Sequence, residues 1–388
     1  MKIISIECLK RVSRPIGNPT KPRRPVDAAA GGVPYPIHIY REFSRTDRKA
    51  VPGGPGGEMW VRITAEDGTY GLGHCNWGDL AAPVVRTLFA GLLAGRNCLA
   101  IEFLNDLMWR STQRLGGTGI VSSAQSAVDV ALWDLKGKLY KAPVYEIIGG
   151  PCRSEIDCYV TATDLDWAME LGFRAFKINN TAHHSDGTDG INKLEATVAA
   201  AREKVGPAAD LMLNAVMSFN VDYAARVMER LAPYDLRWFE EPLPPNDTKG
   251  LMALKRAVPA MPLATGEDHR GRHMFRDIIE ARCVDVLQPD IRWTGGLTET
   301  LKIYNMGEAA GLQTIAHSGG NMPAGQHLSA AMPEVRMAEY LMLSAPGVPL
   351  EEVNPVPGMP VPVNGKLVLS DAAGFGMEFR SEDFVPFP

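Results

Sequence analysis

The chain has 388 residues, a formal net charge of −5, 45 % apolar and 22 % charged residues. It is too long for one ordinary core, and its composition is that of a globular enzyme. The basic residues are scattered, which leaves no footprint for nucleic acid or an acidic membrane, and no run reaches the ~20 apolar residues of a membrane span.

The opening stretch MKIISIECLK is read as no signal peptide, because Glu7 and Lys10 interrupt its short apolar run. The six cysteines, at 8, 75, 98, 152, 158 and 283, have no CxxC or Cys/His metal spacing. Reduced thiols in a cytoplasmic protein are expected. Residues 3–9 form one strand candidate, and 59–73 read as a β-hairpin turning at Asp67-Gly68. Between them, about 14–57 is a Pro/Gly-rich stretch, either a functional loop or disordered. From about 82 to 138 the pattern is helical, and SSAQSAVDVALWDLKGKL at 122–139 has apolar residues at helical spacing behind a serine start.

After Gly149-Gly150-Pro151 short apolar runs alternate with helical stretches, as in repeated βα units. The runs are 156–160, 174–178, 211–213, 236–239, 262–264, 284–287, 312–315 and 336–340. Eight is the number that closes a parallel barrel. The fold expected is α/β, a (β/α)7-8 TIM-like barrel with an α+β N-terminal cap completed by the C-terminal segment. The boundaries expected are 1–125 for the cap, 126–345 for the barrel and 346–388 for the return.

Polar residues stand at the ends of seven consecutive runs: Lys177, Asn214, Glu240, Glu267, Asp290, His317 and Glu339. From Asn214 onward they are 22 to 27 residues apart, about one βα unit each. In a barrel the strand C-termini open on one face, so these residues converge. Asn214, Glu240 and Glu267 offer three hard oxygen ligands suited to Mg²⁺. Asp290 beside His317 suits a dyad in which the carboxylate orients the imidazole and raises its basicity. A divalent ion with a basic histidine is what abstraction of an α-proton from a carboxylate needs. Taken singly each residue has a plain reading, as a helix cap, a rim ion pair or a structural histidine. Their joint occurrence on seven consecutive strand ends favours the catalytic one.

At these residues the sequence resembles the mandelate racemase subgroup of the enolase superfamily. Trp238-Phe239-Glu240-Glu241-Pro242 resembles its WxEEP, Ala264-Thr265-Gly266-Glu267 its TGE, Gln288-Pro289-Asp290 with Gly295-Gly296 its QPD…GG, and Ile315-Ala316-His317 its base-bearing strand. SAVDVALWDLKGK at the cap–barrel junction extends the likeness over nearly the whole chain. Within the subgroup it is most similar to the rhamnonate dehydratases, which share the single lysine on the second strand and the His/Asp/Gly loop after it. They also share the His and small residues of the seventh strand, and the C-terminal return at 362–379. The resemblance implies that Glu240 is a metal ligand, that Lys177 faces the substrate carboxylate, and that Glu339 lies near the substrate beside or opposite the base.

Two departures matter. The family's third-strand ligand is Asp, and here it is Asn214, whose neutral oxygen should hold Mg²⁺ more weakly. Racemases of the subgroup carry a KxK pair on the second strand, and here it reads Lys177-Ile178-Asn179, so the second base is missing. A Mg²⁺-dependent sugar-acid dehydratase is therefore expected, with Asn179 among the substrate contacts and a 2-keto-3-deoxy acid as product. His38, Arg41 and Arg45 on the cap loop are candidates for specificity. The alternatives are an epimerase or racemase of a 2-hydroxy acid and a non-catalytic sugar-acid binder. The partner expected is a small-molecule sugar acid, with neither nucleic acid nor membrane, and the chain is expected to form a homo-oligomer.

Overall fold

The computed structural model describes residues 1–12, 19–26, 32–40, 42–43, 57–354 and 356–388. The cap is built on three antiparallel strands, β1 (Ile3–Arg11), β2 (Met59–Ala65) and β3 (Tyr70–Cys75). The β2–β3 connection is the Asp67-Gly68 turn expected: Gly68 takes φ +86° and the Thr69 N–H donates to Asp67 Oδ1 at 2.9 Å. Glu7 and Arg62 face each other across β1 and β2 as an ion pair at 2.9 Å.

One face of this sheet is covered by the 21-residue helix Ile120–Tyr140. Its sheet-facing residues include the buried Ala127 and Ala131, which meet Gly73 and Gly71 of β3. A Cβ on Gly71 would lie 2.1 Å from the Ala131 carbonyl oxygen, so glycine here lets strand and helix backbones touch. The cap boundary expected at 125 falls inside this single helix, whose apolar face belongs to the cap core. The same helix ties the parts together. Asp129 accepts from Asn105 Nδ2 at 2.8 Å and from the Thr298 N–H at 2.9 Å, capping the barrel helix Leu297–Ala309 from outside. Asp134 accepts from the Leu72 N–H of the cap and the Phe375 N–H of the C-terminal segment.

The barrel follows in chain order: β4 (Ile156–Thr161), β5 (Ala175–Asn179), β6 (Asp210–Asn214), β7 (Phe239–Glu240), β8 (Leu263–Thr265), β9 (Val286–Leu287), β10 (Gln313–Thr314) and β11 (Met337–Leu341). All pair in parallel, in the order β10-β9-β8-β7-β6-β5-β4-β11. Each of the eight apolar runs overlaps one of these strands. In the turn after β10 the Asn321 side chain accepts from the Leu341 N–H at 2.5 Å and donates to the Leu341 carbonyl at 3.0 Å, satisfying the backbone at the end of β11 as a strand partner would. Side chains alternate along each strand. One set packs outward under the helices; the other fills the lumen with Tyr159, Ala175, Met212, Trp238, Ala264, Val286, Ile315 and Met337, one per strand.

Two short strands complete the fold. β12 (Lys366–Leu367) pairs antiparallel with the start of β4, and β13 (Phe384–Pro386) adds a fourth strand to the cap sheet beside β1. The C-terminal segment thus finishes the cap. All six cysteines are free thiols. Among the described residues no helix is long and apolar enough to cross a membrane.

Candidate active site

Strand periodicity builds the site. Two residues beyond each lumen-filling side chain, the next inward position carries Thr161, Lys177, Asn214, Glu240, Gly266, Gln288, His317 and Glu339. Each strand therefore offers one apolar plug and then one group of the mouth. On β8 the inward position is Gly266, at φ +140°, and the carboxylate comes one residue later as Glu267.

Two subsets form at this mouth. On one side, buried Lys177 donates to Glu240 Oε1 and lies 2.7 Å from Glu339 Oε1. Glu240 Oε1 also accepts from Asn214 Nδ2 at 2.9 Å, while its Oε2 accepts from Gln288 Nε2 at 2.8 Å and Trp238 Nε1 at 3.1 Å. Glu339 accepts from Thr161 Oγ1 at 2.5 Å and from the Ser318 N–H at 2.7 Å. On the other side, His317 Nδ1 lies 2.8 Å from Asp290 Oδ2, and its Nε2 lies 3.3 Å from Ser318 Oγ and 3.5 Å from Glu267 Oε2. With Nδ1 held by the fully buried Asp290, Nε2 is the nitrogen left to exchange a proton.

The charges follow from this packing. Burial opposes ionisation of His317, but Glu267, the hydrogen bond to Asp290 and Glu339 outweigh it and push its pKa up to about 10. Burial works against Glu339 as well, yet Lys177 and His317 hold its carboxyl down at about 2. Glu339 is therefore an ionised acceptor rather than a proton donor. Lys177 is raised above the ordinary ammonium value against its burial, by Glu240, Glu339 and Glu267. Asp290 is held well below the usual carboxylate range despite its burial, first by Arg292 and then by His317. Glu267 is pushed up to about 7, by burial and by the facing charge of Glu240, against the pull of His317 and Lys177. Glu241 rises to about 8 for the same kinds of reason, burial and Glu267.

Glu240 and Glu267 are thus carboxylates at adjacent strand ends that feel each other's charge. A divalent cation between them relieves that repulsion, so the donor set fits one. Among the described residues no three His, Cys, Asp or Glu side chains form a metal cage. Two carboxylates suit an ion such as Mg²⁺ that keeps water and substrate in its shell. Asn214, the third ligand expected, stands beside Glu240 but turns its oxygen to the Val216 N–H at 2.8 Å.

The remaining expected residues are spread differently. Asn179 ends β5 in register with Asn214, half-buried at the mouth. His38 is buried in a 3-10 turn, Pro36–Ile39, where its Nδ1 accepts from the Tyr35 N–H at 2.7 Å. Arg41 and Arg45 lie outside the described residues.

Several neighbours escaped the sequence reading. Arg292 grips Asp290 through Nε to Oδ1 (3.1 Å), Nη2 to Oδ2 (2.6 Å) and its own backbone N–H (2.8 Å). The Trp293 ring lies 5.3 Å from the His317 ring, tilted by 41°, and donates to Asn76 of the cap at 3.1 Å. Arg270 lies 5.0 Å over Trp293 and 5.8 Å from Trp77 of the cap, so cap and barrel share one aromatic wall beside the base. Arg292 and Trp293 directly follow the Gln-Pro-Asp motif, but no spacing rule marks them. Only the turn after β9 brings them back onto Asp290 and His317.

The comparisons with known proteins agree with this architecture. The chain is 36% identical over 356 residues to an L-rhamnonate dehydratase of Saccharopolyspora erythraea, covering 90% of each. It superposes on the crystal structure of L-rhamnonate dehydratase from Gibberella zeae with a TM-score of 0.90 at 29% identity, covering 99% of this chain and 96% of that one. A second structure from Gibberella zeae, complexed with Mg, gives 0.88 at 30% identity with the same coverage. Residues 58–149 match the mandelate racemase / muconate lactonizing enzyme N-terminal domain, and residues 161–384 match the enolase C-terminal domain-like model. With both domains present in order and more than half its length matched, the chain belongs to the mandelate racemase / muconate lactonizing enzyme family of the enolase superfamily.

Proposed function

We propose that this chain is a magnesium-dependent hydro-lyase that dehydrates a sugar acid, an aldonate such as L-rhamnonate, to a 2-keto-3-deoxy acid. The observation that carries this reading is the Asp290–His317 pair at 2.8 Å, with the other imidazole nitrogen, Nε2, 3.5 Å from Glu267. A proton-transfer group beside carboxylates fit for a divalent cation supports this reading. The likeness to L-rhamnonate dehydratases, one of them complexed with Mg, supports the same reaction class.

Glu240 and Glu267 would hold the cation. Bound there, it would supply electrostatic stabilisation of an enediolate and offset the charge of Glu267, the largest of the influences that raise the His317 pKa. Lys177, charged and between Glu240 and Glu339, faces the substrate carboxylate. His317 Nε2 takes the C2 proton, and the electron pair of that C–H bond passes to the enediolate. Asp290 holds the imidazole by Nδ1 and balances the imidazolium that forms. As the enediolate collapses the C3–O bond breaks, and His317 returns its proton to the departing 3-hydroxyl, which leaves as water. Removal of the C2 proton and departure of the 3-hydroxyl on one face make the elimination syn. The enol product tautomerises to the 2-keto-3-deoxy acid. Glu339, ionised, fixes Lys177 and the Ser318 backbone rather than donating a proton.

The test is purified protein with Mg²⁺ and a panel of aldonic and aldaric acids, L-rhamnonate first, scored for 2-keto acid by a carbonyl-specific reagent. Formation of a keto product that stops on chelation is expected. Epimer without keto product would replace dehydration by epimerisation; binding with no chemistry on any acid would make the chain a binder.

A further inference from the structure

We infer that Asn214 does not coordinate the metal but orients Glu240 from beside it, leaving a two-carboxylate site. The inference rests on the metal-dependent reading above and concerns how this chain in particular holds the ion. Two contacts fix which way round the Asn214 amide lies. Its Oδ1 accepts the Val216 N–H at 2.8 Å, and its Nδ2 donates to Glu240 Oε1 at 2.9 Å. Flipping the amide would set N–H against N–H at Val216 and oxygen against oxygen at Glu240, so both partners select one orientation. The atom facing Glu240 is therefore a nitrogen with donors only, which has no lone pair to give a cation.

The backbone explains why the oxygen is committed. Val216 and Met217 both take left-handed conformations, φ +50° and +56°, disfavoured for any L-residue and most of all for β-branched valine. The turn is held by the Asn214 side-chain contact and by the Met217 N–H donating to the Glu241 carbonyl at 2.7 Å. That turn carries the chain from β6 past the Glu240-Glu241 pair. An aspartate here could hold the Val216 N–H with one oxygen and offer the other to a cation; asparagine has one oxygen and has spent it. The ion would then be held by Glu240 and Glu267, with water and substrate oxygens completing its shell, a mode that Mg²⁺ commonly uses.

The experiment titrates Mn²⁺, without organic acid, into the folded full chain and its Asn214→Ala and Asn214→Asp variants, reading free Mn²⁺ by electron paramagnetic resonance. Asn214→Asp should bind at least about tenfold more tightly, since it adds a charged inner ligand, and Asn214→Ala should weaken binding about tenfold, the scale of a lost orienting partner. No gain in Asn214→Asp, or an unchanged affinity in Asn214→Ala, would overturn the inference. A Mn²⁺-soaked crystal of the unaltered protein gives a second readout that needs no variant. The metal at about 2.1 Å from Asn214 Oδ1 overturns the inference and leaves the dehydratase reading standing. The metal on Glu240 and Glu267, with Asn214 Nδ2 still on Glu240, supports it. Absence of any Mn²⁺ binding by the unaltered protein would instead sink the metal-dependent reading as a whole.

Discussion

Arg292 and Asp290 are joined by a two-point clamp, and the same Asp290 Oδ2 that meets Arg292 Nη2 at 2.6 Å also meets His317 Nδ1 at 2.8 Å. The carboxylate cannot rotate away from the imidazole without breaking its guanidinium contacts. Arg292→Met should therefore leave a folded protein whose kcat falls roughly 10–100-fold, the usual scale for an orienting partner, with KM little changed. Arg292→Lys should recover only part of the loss, because a single ammonium cannot make both contacts. Steady-state kinetics with a thermal melt as folding control decide it; equal kcat in Arg292→Met would show that Asp290 needs no clamp.

His317→Asn tests the group at the end of that chain. The side chain keeps a polar atom near Asp290 but loses the titrating nitrogen. Turnover of any true substrate should fall by at least ~10²–10⁴-fold, since one imidazole serves as both base and acid. Circular dichroism should be unchanged. Residual activity near that of the parent would remove His317 from the mechanism.

A single base predicts the stereochemistry. Lys177 is engaged by Glu240 and Glu339, and Asn179 at the end of β5 has no basic nitrogen. In D₂O, substrate recovered at partial turnover should carry deuterium at C2 only in its original configuration. Asn179→Lys should introduce some C2 epimer. Deuterated epimer from the unaltered protein, seen by NMR, would reveal a second base and favour the epimerase reading.

Gly71→Ala probes the seam between cap sheet and helix. The added Cβ would lie 2.1 Å from the Ala131 carbonyl oxygen, 2.4 Å from the Leu135 backbone nitrogen and 2.8 Å from Leu135 Cβ. These are mostly backbone atoms and cannot swing aside, so the strand must lift off. Overpacking of this kind costs about 1–3 kcal/mol. Chemical denaturation should show the loss, and a midpoint equal to the parent's would mean that the sheet and helix can part freely.

His327 gives the pH prediction. It is buried, its Nδ1 accepts the Tyr145 N–H at 3.0 Å, and burial drives its pKa down to about 3 from the ordinary 6.5. The unfolded chain binds the proton more readily than the folded one. Stability from this group is thus complete above pH 6.5 and is lost as pH falls from there towards 3. His327→Gln should flatten the pH dependence of the unfolding free energy in that window. An unchanged slope would assign the acid sensitivity to other groups.

The βα rhythm and the residues on consecutive strand ends were readable because both follow from local rules. Apolar runs of strand length must be buried, and in a parallel barrel the C-terminal end of every strand opens on one face. The period of two along each strand then links the lumen plug to the mouth residue, as Tyr159 to Thr161 and Ile315 to His317. The helix Ile120–Tyr140 was readable as a helix, but its allegiance to the cap was not. Whether its apolar face packs on the sheet or the barrel depends on Gly71 and Gly73, far away in sequence.

The sequence by itself therefore determined the eight-fold βα order and which residue types reach the barrel mouth, because periodicity and strand ends are local. Only the tertiary structure decided who meets whom there. The Arg292 clamp, the Trp77–Arg270–Trp293 wall and the ionised state of Glu339 all arise from groups brought together by turns and by cap docking. The direction in which Asn214 points was decided the same way. Its side chain carries an oxygen and a nitrogen on one planar group, and nothing in the order of amino acids says which will face Glu240. The left-handed turn at Val216 settles it, because a backbone N–H placed 2.8 Å away can donate only to the oxygen.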